Sequence, residues 1–247
     1  MWVRVPLVKN GRGSGMPNIF VSSDPHFGHA NILKFVTHVL DCPKKGGFDR
    51  DEESTCGCPR MRPFSTAEEM DEFIVQEHNK VVKPSDKWYC VGDVAMNKKD
   101  IATVGRMNGQ KRLVRGNHDI FSDKYYTPFF ESIYGSRVFE DMILTHIPIH
   151  PESLKDRWTN VHGHVHSNVP ALHFGVKYLN VSMEVIGYRP LAIEEVRQRI
   201  RDQKAENQRL VEANLARLGV KRLWTDEQLR TPVPVNDDGQ RIRRNCF

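Results

Sequence analysis

The stretch Leu113-Val114-Arg115-Gly116-Asn117-His118-Asp119 decides how the chain reads. An apolar run stops at a glycine, and an amide, an imidazole and a carboxylate follow without a gap. A buried strand that ends this way delivers hydrogen-bonding side chains into a cleft. Taken by itself, Gly116–Asp119 fits equally well an Asn/Asp turn that carries an exposed histidine. The rest of the chain separates the two readings.

Working outward, the same pattern recurs. Asn18-Ile19-Phe20-Val21 runs into Ser22-Ser23-Asp24-Pro25-His26-Phe27-Gly28-His29. Asp24 and His26 are two residues apart, so an extended backbone puts both on one face, which makes a metal-binding half-site. Lys87-Trp88-Tyr89-Cys90-Val91 ends in Gly92-Asp93, and Met142-Ile143-Leu144-Thr145 ends in His146. Trp158 to Val161 leads into His162-Gly163-His164-Val165-His166, where His164 and His166 repeat the spacing of Asp24 and His26. Five strand ends or loops therefore carry metal-competent side chains, and the turn reading cannot account for all of them.

Between these blocks, residues 30–40 have apolar residues at helical spacing, and Ser65-Thr66-Ala67-Glu68 is a capping box that opens a helix. Residues 98–109 read as helical. Residues 137–140 and 142–146 read as neighbouring strands of a meander, and 178–185 alternates as a strand. Pro190 starts a helix running to about Leu218, with Val196, Ile200, Leu210, Val211, Leu215 and Leu218 as an intermittent apolar stripe. That stripe serves either docking on its own domain or homodimer formation. Phe121, Tyr125, Tyr126, Phe129 and Phe130 form an aromatic group that either packs in a core or stacks on a nucleobase.

With 247 residues, 39% of them hydrophobic, the chain can bury one full core. No apolar run approaches the ~18 residues of a membrane helix. Arg4 and Pro6 interrupt the N-terminus where a signal peptide needs an apolar centre. An odd number of cysteines, five, fits a reducing, cytoplasmic compartment. Residues 1–17 read as a flexible leader, with Met16 as an alternative start. Residues 41–64 read as a polar insertion. Its Cys42, Cys56 and Cys58, with His38, form a candidate zinc clip, but their spacing is unlike paired CxxC motifs and favours a mobile loop with free thiols. Residues 197–247 hold 12 Lys/Arg against 7 Asp/Glu, while the first 196 are neutral. A basic tail of this kind suits a solvated helix face or contact with nucleic acid.

In order, the chain reads D-x-H (Asp24, His26), G-D (Gly92, Asp93), G-N-H-D (Gly116–Asp119), a lone His146, and G-H-x-H (Gly163–His166). Over residues 18–190 this resembles the calcineurin-like metallophosphoesterase superfamily, and Ser23–His29 is similar to the opening of its small bacterial and phage members. Segments 41–64 and 197–247 have no counterpart in the family pattern. The resemblance implies an α/β fold: a four-layer α/β/β/α sandwich of two mixed sheets flanked by helices. It places that domain at 18–196, followed by a basic helical extension and irregular tail at 197–247. It further implies that Asp24, His26, Asp93 and His166 hold one metal, and that Asp93, Asn117, His146 and His164 hold the other, with Asp93 bridging.

Chemistry agrees with that assignment, because a carboxylate can bridge two cations and mixed N/O ligation suits Mn, Fe, Zn, Ni or Co; Mn is favoured here. Two metals about 3.5–4 Å apart can share a hydroxide nucleophile and clamp a phosphate. By the same resemblance, His118 assists the leaving group, Asp119 orients it or a neighbouring ligand, and Asn117 and His118 contact substrate. His29 and His162 are candidates for orienting groups, and His150 is expected in solvent. The expected substrate is a phosphate ester, with a lean towards a phosphodiester, nucleotide or nucleic acid. The alternatives are a phosphomonoesterase or protein phosphatase on the same site, and a non-catalytic scaffold of the same fold.

Overall fold

A computed structural model describes residues 17–37, 58–155, 157–167 and 175–217. Strands β1 (Ile19–Ser22), β2 (Lys87–Cys90), β3 (Gln110–Val114) and β4 (Ser132–Tyr134) are short; β1 and β2 are buried over their last three residues and β3 over Leu113 and Val114, while β4 is half-buried. They pair in parallel in the order β4-β3-β2-β1. Strands β5 (Arg137–Phe139), β6 (Met142–Leu144), β7 (Thr159–His162) and β8 (Tyr178–Asn180) form a second sheet. Its β6, β7 and β8 run parallel and β5 is antiparallel. A two-residue strand β9 (Leu191–Ala192) closes the first sheet antiparallel to β1. The class is α/β with two mixed sheets and helices.

Alternation along the strands divides the core. Phe20, Trp88, Cys90 and Leu113 pack with Met70, Ile74 and Val75 of helix α1 (Ala67–Val81) and with Ile101 and Val104 of a 3-10 helix, Lys98–Arg106. Val21, Tyr89, Val91 and Val114, on the opposite face, pack with Met142, Leu144 and Val161 of the second sheet. On that sheet's far side, Ile143 and Tyr178 meet Leu154 of the one-turn helix α2 (Pro151–Leu154). Burying ten or so such side chains at ~1.5–3 kcal/mol each is what fixes the two sheets face to face.

Several local expectations shift by a residue or a helix type. Thr66 caps α1 by accepting the Glu69 N–H, while the Glu69 carboxylate accepts the Ser65 N–H at 2.7 Å, so the box sits one residue later than Ser65/Glu68. Of the helix expected over 98–109, Lys98–Arg106 wind as a 3-10 helix and 107–109 leave it, and the expected helix at 30–40 is a 3-10 turn over Ala30–Lys34 before 38–40 leave the described residues. The helix expected from Pro190 begins at Ile193, because Leu191 and Ala192 are taken up by β1. Strands β4 and β9 are too short to show a period of two.

The end of the 41–64 segment is packed: Met61 and Phe64 lie in the core, and the Met61 N–H donates to the Phe35 carbonyl at 2.8 Å. Cys58 is half-buried, whereas His38, Cys42 and Cys56 lie outside the described residues, and the zinc clip with them. The leader up to residue 16 and the tail beyond 217 also lie outside.

The chain divides into two compact units after Gln203. In the first, Ile193, Val196 and Ile200 of helix α3 (Ile193–Arg217) join the core shared by the sheets. In the second, Leu210 and Val211 are exposed, while the Leu215 side chain and Leu218 fall outside the described residues. Among the described residues no helix is long and apolar enough to cross a membrane.

Candidate metal centre

Parallel strands carry their carboxyl ends to one edge, and that geometry gathers the motifs. Asp24 and His26 follow β1, Asp93 follows β2, Asn117 and His118 follow β3, His146 follows β6, and His164 and His166 follow β7. A parallel bridge between Ser23 and Ser182 ties the two sheets at this edge, with the Ser23 N–H on the Val181 carbonyl at 2.9 Å. Five of the eight non-glycine residues with left-handed φ among those described are Asp24, His26, Asp93, His164 and His166. Backbone strain of this kind costs of order 1–3 kcal/mol per residue and concentrates at functional sites.

The side chains assemble two groups: Asp24, His26 and His166, and Asp93, His146 and His164. In each, the candidate ligand atoms lie within 4.8 Å of one another. His26 Nε2 sits between both carboxylates, 3.6 Å from Asp24 Oδ1 and 3.5 Å from Asp93 Oδ2. His166 Nε2 is 3.7 Å from Asp24 Oδ1. His146 Nε2 approaches Asp93 Oδ2 to 3.2 Å without the alignment of a hydrogen bond. Both His26 nitrogens and His146 Nε2 are buried with no hydrogen-bond partner. Leaving such groups unsatisfied costs ~1–3 kcal/mol each, and a cation held among them and the carboxylates removes that penalty. The donor set fits a pair of divalent ions.

The two carboxylates are held ionised, as ligands to a cation must be, while the proton on His146 is one that a cation would displace. Burial disfavours the charge on Asp24, yet His166, His26 and His146 hold its carboxyl well below the usual range. Asp93 is likewise lowered against its burial, by His146 and His26. Burial also opposes charge on His146, but the Asp93 and Asp24 carboxylates raise its pKa to about 9. Its Nδ1 lies 2.8 Å from the Val91 carbonyl, so the Nδ1–H is spent there and Nε2 is the ligand face.

His118 stands at the rim with its side chain 46% exposed, Nε2 4.0 Å from Asp93 Oδ2. Its backbone N–H donates to Asp93 Oδ1 at 2.8 Å, which anchors the loop to the central carboxylate. Asn117 is exposed on the same loop. Asp119 is buried and faces away from the cleft: its oxygens accept the N–H groups of Asp93 and Val94 at 2.9 Å and of Gly116 at 2.8 Å. It ties the G-N-H-D loop to the G-D loop and orients Asp93 rather than His118. Gly116 and Gly163 are required by close approach. A Cβ on Gly116 would lie 2.2 Å from Asp93 Oδ1, and one on Gly163 would lie 2.0 Å from Ser23 Oγ and 2.1 Å from Asp24 Oδ2.

The remaining histidines stand apart from the ligand groups. The His29 ring is 5.3 Å from that of His26, and burial with His26 nearby drops its pKa to about 3. His162 is buried under Gly163, its Nδ1 2.9 Å from that carbonyl. His150 is exposed and caps α2 by accepting the Glu152 N–H at 3.3 Å. Of the aromatic group, Tyr126 and Phe130 are core residues, with Phe121, Tyr125 and Phe129 packed against them.

No family model matches the chain. The uncharacterized protein MJ1445 of Methanocaldococcus jannaschii is 31% identical over 192 residues, which cover 72% of this chain and 89% of that protein. The chain belongs to the family of MJ1445. A solved structure, the protein of unknown function AQ665 from Aquifex aeolicus, shares the fold, with a TM-score of 0.54 over 74% of this chain and 98% of that one at 23% identity.

In this MJ1445-family chain three further side chains complete the centre, none of them marked by a motif. The Ser182 hydroxyl donates to Asp24 Oδ2 at 3.0 Å. Glu184, its side chain 3% exposed, accepts the His166 Nδ1–H at 2.7 Å. Arg62 is fully buried and donates to Glu184. Burial opposes ionisation of Glu184, but Arg62 and His166 bring its pKa down to about 2. The only sequence signal was a lone acid, Glu184, inside an apolar run; Arg62 sat in a segment read as an insertion.

Proposed function

We propose that the chain is a dinuclear-metal phosphoesterase of the calcineurin-like kind, acting on a phosphodiester or nucleotide-like substrate. The observation that carries the reading is the pair of buried ring nitrogens without hydrogen-bond partners, His26 Nε2 and His146 Nε2, that flank the Asp93 carboxylate. On this reading Asp24, His26 and His166 hold one ion, His146, His164 and Asn117 hold the other, and Asp93 bridges them. The four-layer α/β/β/α arrangement belongs to the same reading. When bound, two divalent transition ions, Mn favoured, supply a nucleophile at neutral pH and polarise the phosphoryl group.

The chain's own residues do the rest. His118 is tethered through its amide to Asp93 while its imidazole remains exposed, so it reaches a bound ester and delivers a proton to the departing oxygen. Asn117, exposed beside it, contacts the phosphoryl oxygens. Asp119 fixes the loop that presents both.

The test is turnover of paired chromogenic phosphate mono- and diesters by purified protein loaded with Mn, Co, Ni, Zn or Fe. Metal-dependent diester hydrolysis is expected, abolished in Asp93→Asn. His118→Ala should lose ~10²–10⁴-fold on a poor leaving group and far less on an activated one. No cleavage of either ester with any of these metals overturns the proposal.

A further inference from the structure

We infer that Arg62 and Glu184 are a positioning pair that builds one metal position, Asp24–His26–His166, and leaves the other to separate supports. The inference rests on the metal-centre reading above. The Arg62 guanidinium is fully buried and spends its donors on two main-chain carbonyls, a carboxylate and Met70 Sδ. Nη2 donates to the Asp24 carbonyl at 2.6 Å and Nη1 to the Pro25 carbonyl at 3.0 Å, clamping the turn in which Asp24 and His26 both hold left-handed φ. Nε and Nη2 donate to Glu184 Oε2 at 3.1 and 2.8 Å. Glu184 Oε1 in turn accepts the His166 Nδ1–H at 2.7 Å, which turns His166 Nε2 towards Asp24.

One ion pair therefore fixes all three members of this group: Asp24 and His26 through their backbone, and His166 through its ring. A buried pair is expensive to desolvate, and a well-packed apolar pair commonly serves stability as well or better. Its use here is directional. A guanidinium offers a planar fork of fixed donors that can join two carbonyls and a carboxylate in one plane, which neither Lys nor an apolar side chain does. Among the described residues the other group has no such pair behind it. His146 leans on the neutral Val91 carbonyl, and Asp93 is held by the loop that Asp119 ties. The two positions touch through the His164 N–H, which donates to Asp24 Oδ2 at 3.1 Å, and through His26, 3.5 Å from Asp93 Oδ2, but the Arg62–Glu184 brace stands directly behind one of them, so its loss should fall chiefly on that one. A carboxylate behind a ligating imidazole also makes it a stronger donor, and loss of such a partner costs about 10–100-fold in metal affinity.

The experiment counts metal rather than turnover. Full-length wild type, Arg62→Met, Glu184→Gln and the double variant are titrated with Mn(II) or Co(II), following metal per chain and the visible Co(II) spectrum. Melting in EDTA confirms that each variant is folded; the double variant avoids the uncompensated buried charge that each single change leaves behind, on Glu184 in Arg62→Met and on Arg62 in Glu184→Gln. Two ions per wild-type chain are expected. The variants should each weaken one of the two by about 10–100-fold and the second by clearly less. The double variant should be no worse than the poorer single one, because the two residues act through each other. His164→Ala should chiefly weaken the ion that the Arg62 and Glu184 variants affect less. Both ions bound with wild-type affinity in Arg62→Met and Glu184→Gln, or both lost equally, overturns the inference alone. Wild-type protein that takes up no metal overturns it together with the reading on which it rests.

Discussion

The carboxylates and glycines of the motifs hold the backbone as much as they face the cleft. Asp119 reads in sequence as a group that orients His118 or a neighbouring ligand, and its three hydrogen bonds go to main-chain amides of two different loops, the Asp93 N–H among them. Asp119→Asn replaces one accepting oxygen by a donor that meets an N–H, so it should lower stability by about 1–3 kcal/mol, readable as a drop in Tm. The fall should persist in EDTA, where no metal is bound. Gly163→Ala forces a methyl onto Ser23 Oγ and Asp24 Oδ2. Overpacking at a buried site costs about 1–3 kcal/mol, and here it should also strip metal from the Asp24 position, measured as ions per chain. The candidate ligands are legible because an i, i+2 spacing (Asp24/His26, His164/His166) or a lone Asp93 or His146 after an apolar run is a local property. Arg62 and Glu184 are not, since only folding brings two residues 122 positions apart into contact.

Among the elements, helix α1 shows how a capped amphipathic segment holds the sheet that carries the site. Thr66→Ala removes the acceptor of the Glu69 N–H and should cost ~1 kcal/mol, seen in thermal melts. Deeper in the same helix, His78 is fully buried, its ring 4.8 Å from that of Trp88 and its Nε2 2.9 Å from the Asn108 carbonyl, which takes the Nε2–H. Burial drops its pKa to about 4, with only partial support from the Asn108 hydrogen bond. The unfolded chain takes up this proton near pH ~6.5 and the folded one resists it, so the stability tied to neutral His78 is complete above that pH. It is lost as pH falls from ~6.5 towards 4, by ~3 kcal/mol. In His78→Gln, Tm measured across this window should fall less steeply than in wild type; equal slopes would rule out His78 as the source. Helix and strand patterns marked α1, β1, β2, β3, β5, β6, β7 and β8 in the sequence, the last as a strand over 178–185 of which Tyr178–Asn180 forms one. They could not mark β4 or β9, whose existence depends on a neighbouring strand edge rather than on their own pattern.

At the scale of the molecule, the candidate ligands come from both sheets: Asp24, His26 and Asp93 from the first, His146, His164 and His166 from the second. Ions held there act as cross-links that exist only in the folded state. Free Mn(II) a hundredfold above Kd should therefore add about 2–3 kcal/mol, raising Tm by roughly 5–10 °C, and EDTA should reverse the gain. Differential scanning fluorimetry with and without metal checks this, and an unchanged Tm would mean that no ion bridges the sheets. The sequence by itself determined which residues are chemical, which apolar runs form strands, and that each chemical cluster follows such a run. Those are consequences of residue type and short-range spacing. Only the tertiary structure decided that the clusters divide into two groups sharing one edge, that Asp119 supports the backbone, and that a buried Arg62–Glu184 pair stands behind one group alone. The reason is physical: parallel pairing and the packing of one sheet on another set distances between residues far apart in the chain, and no local pattern encodes those distances.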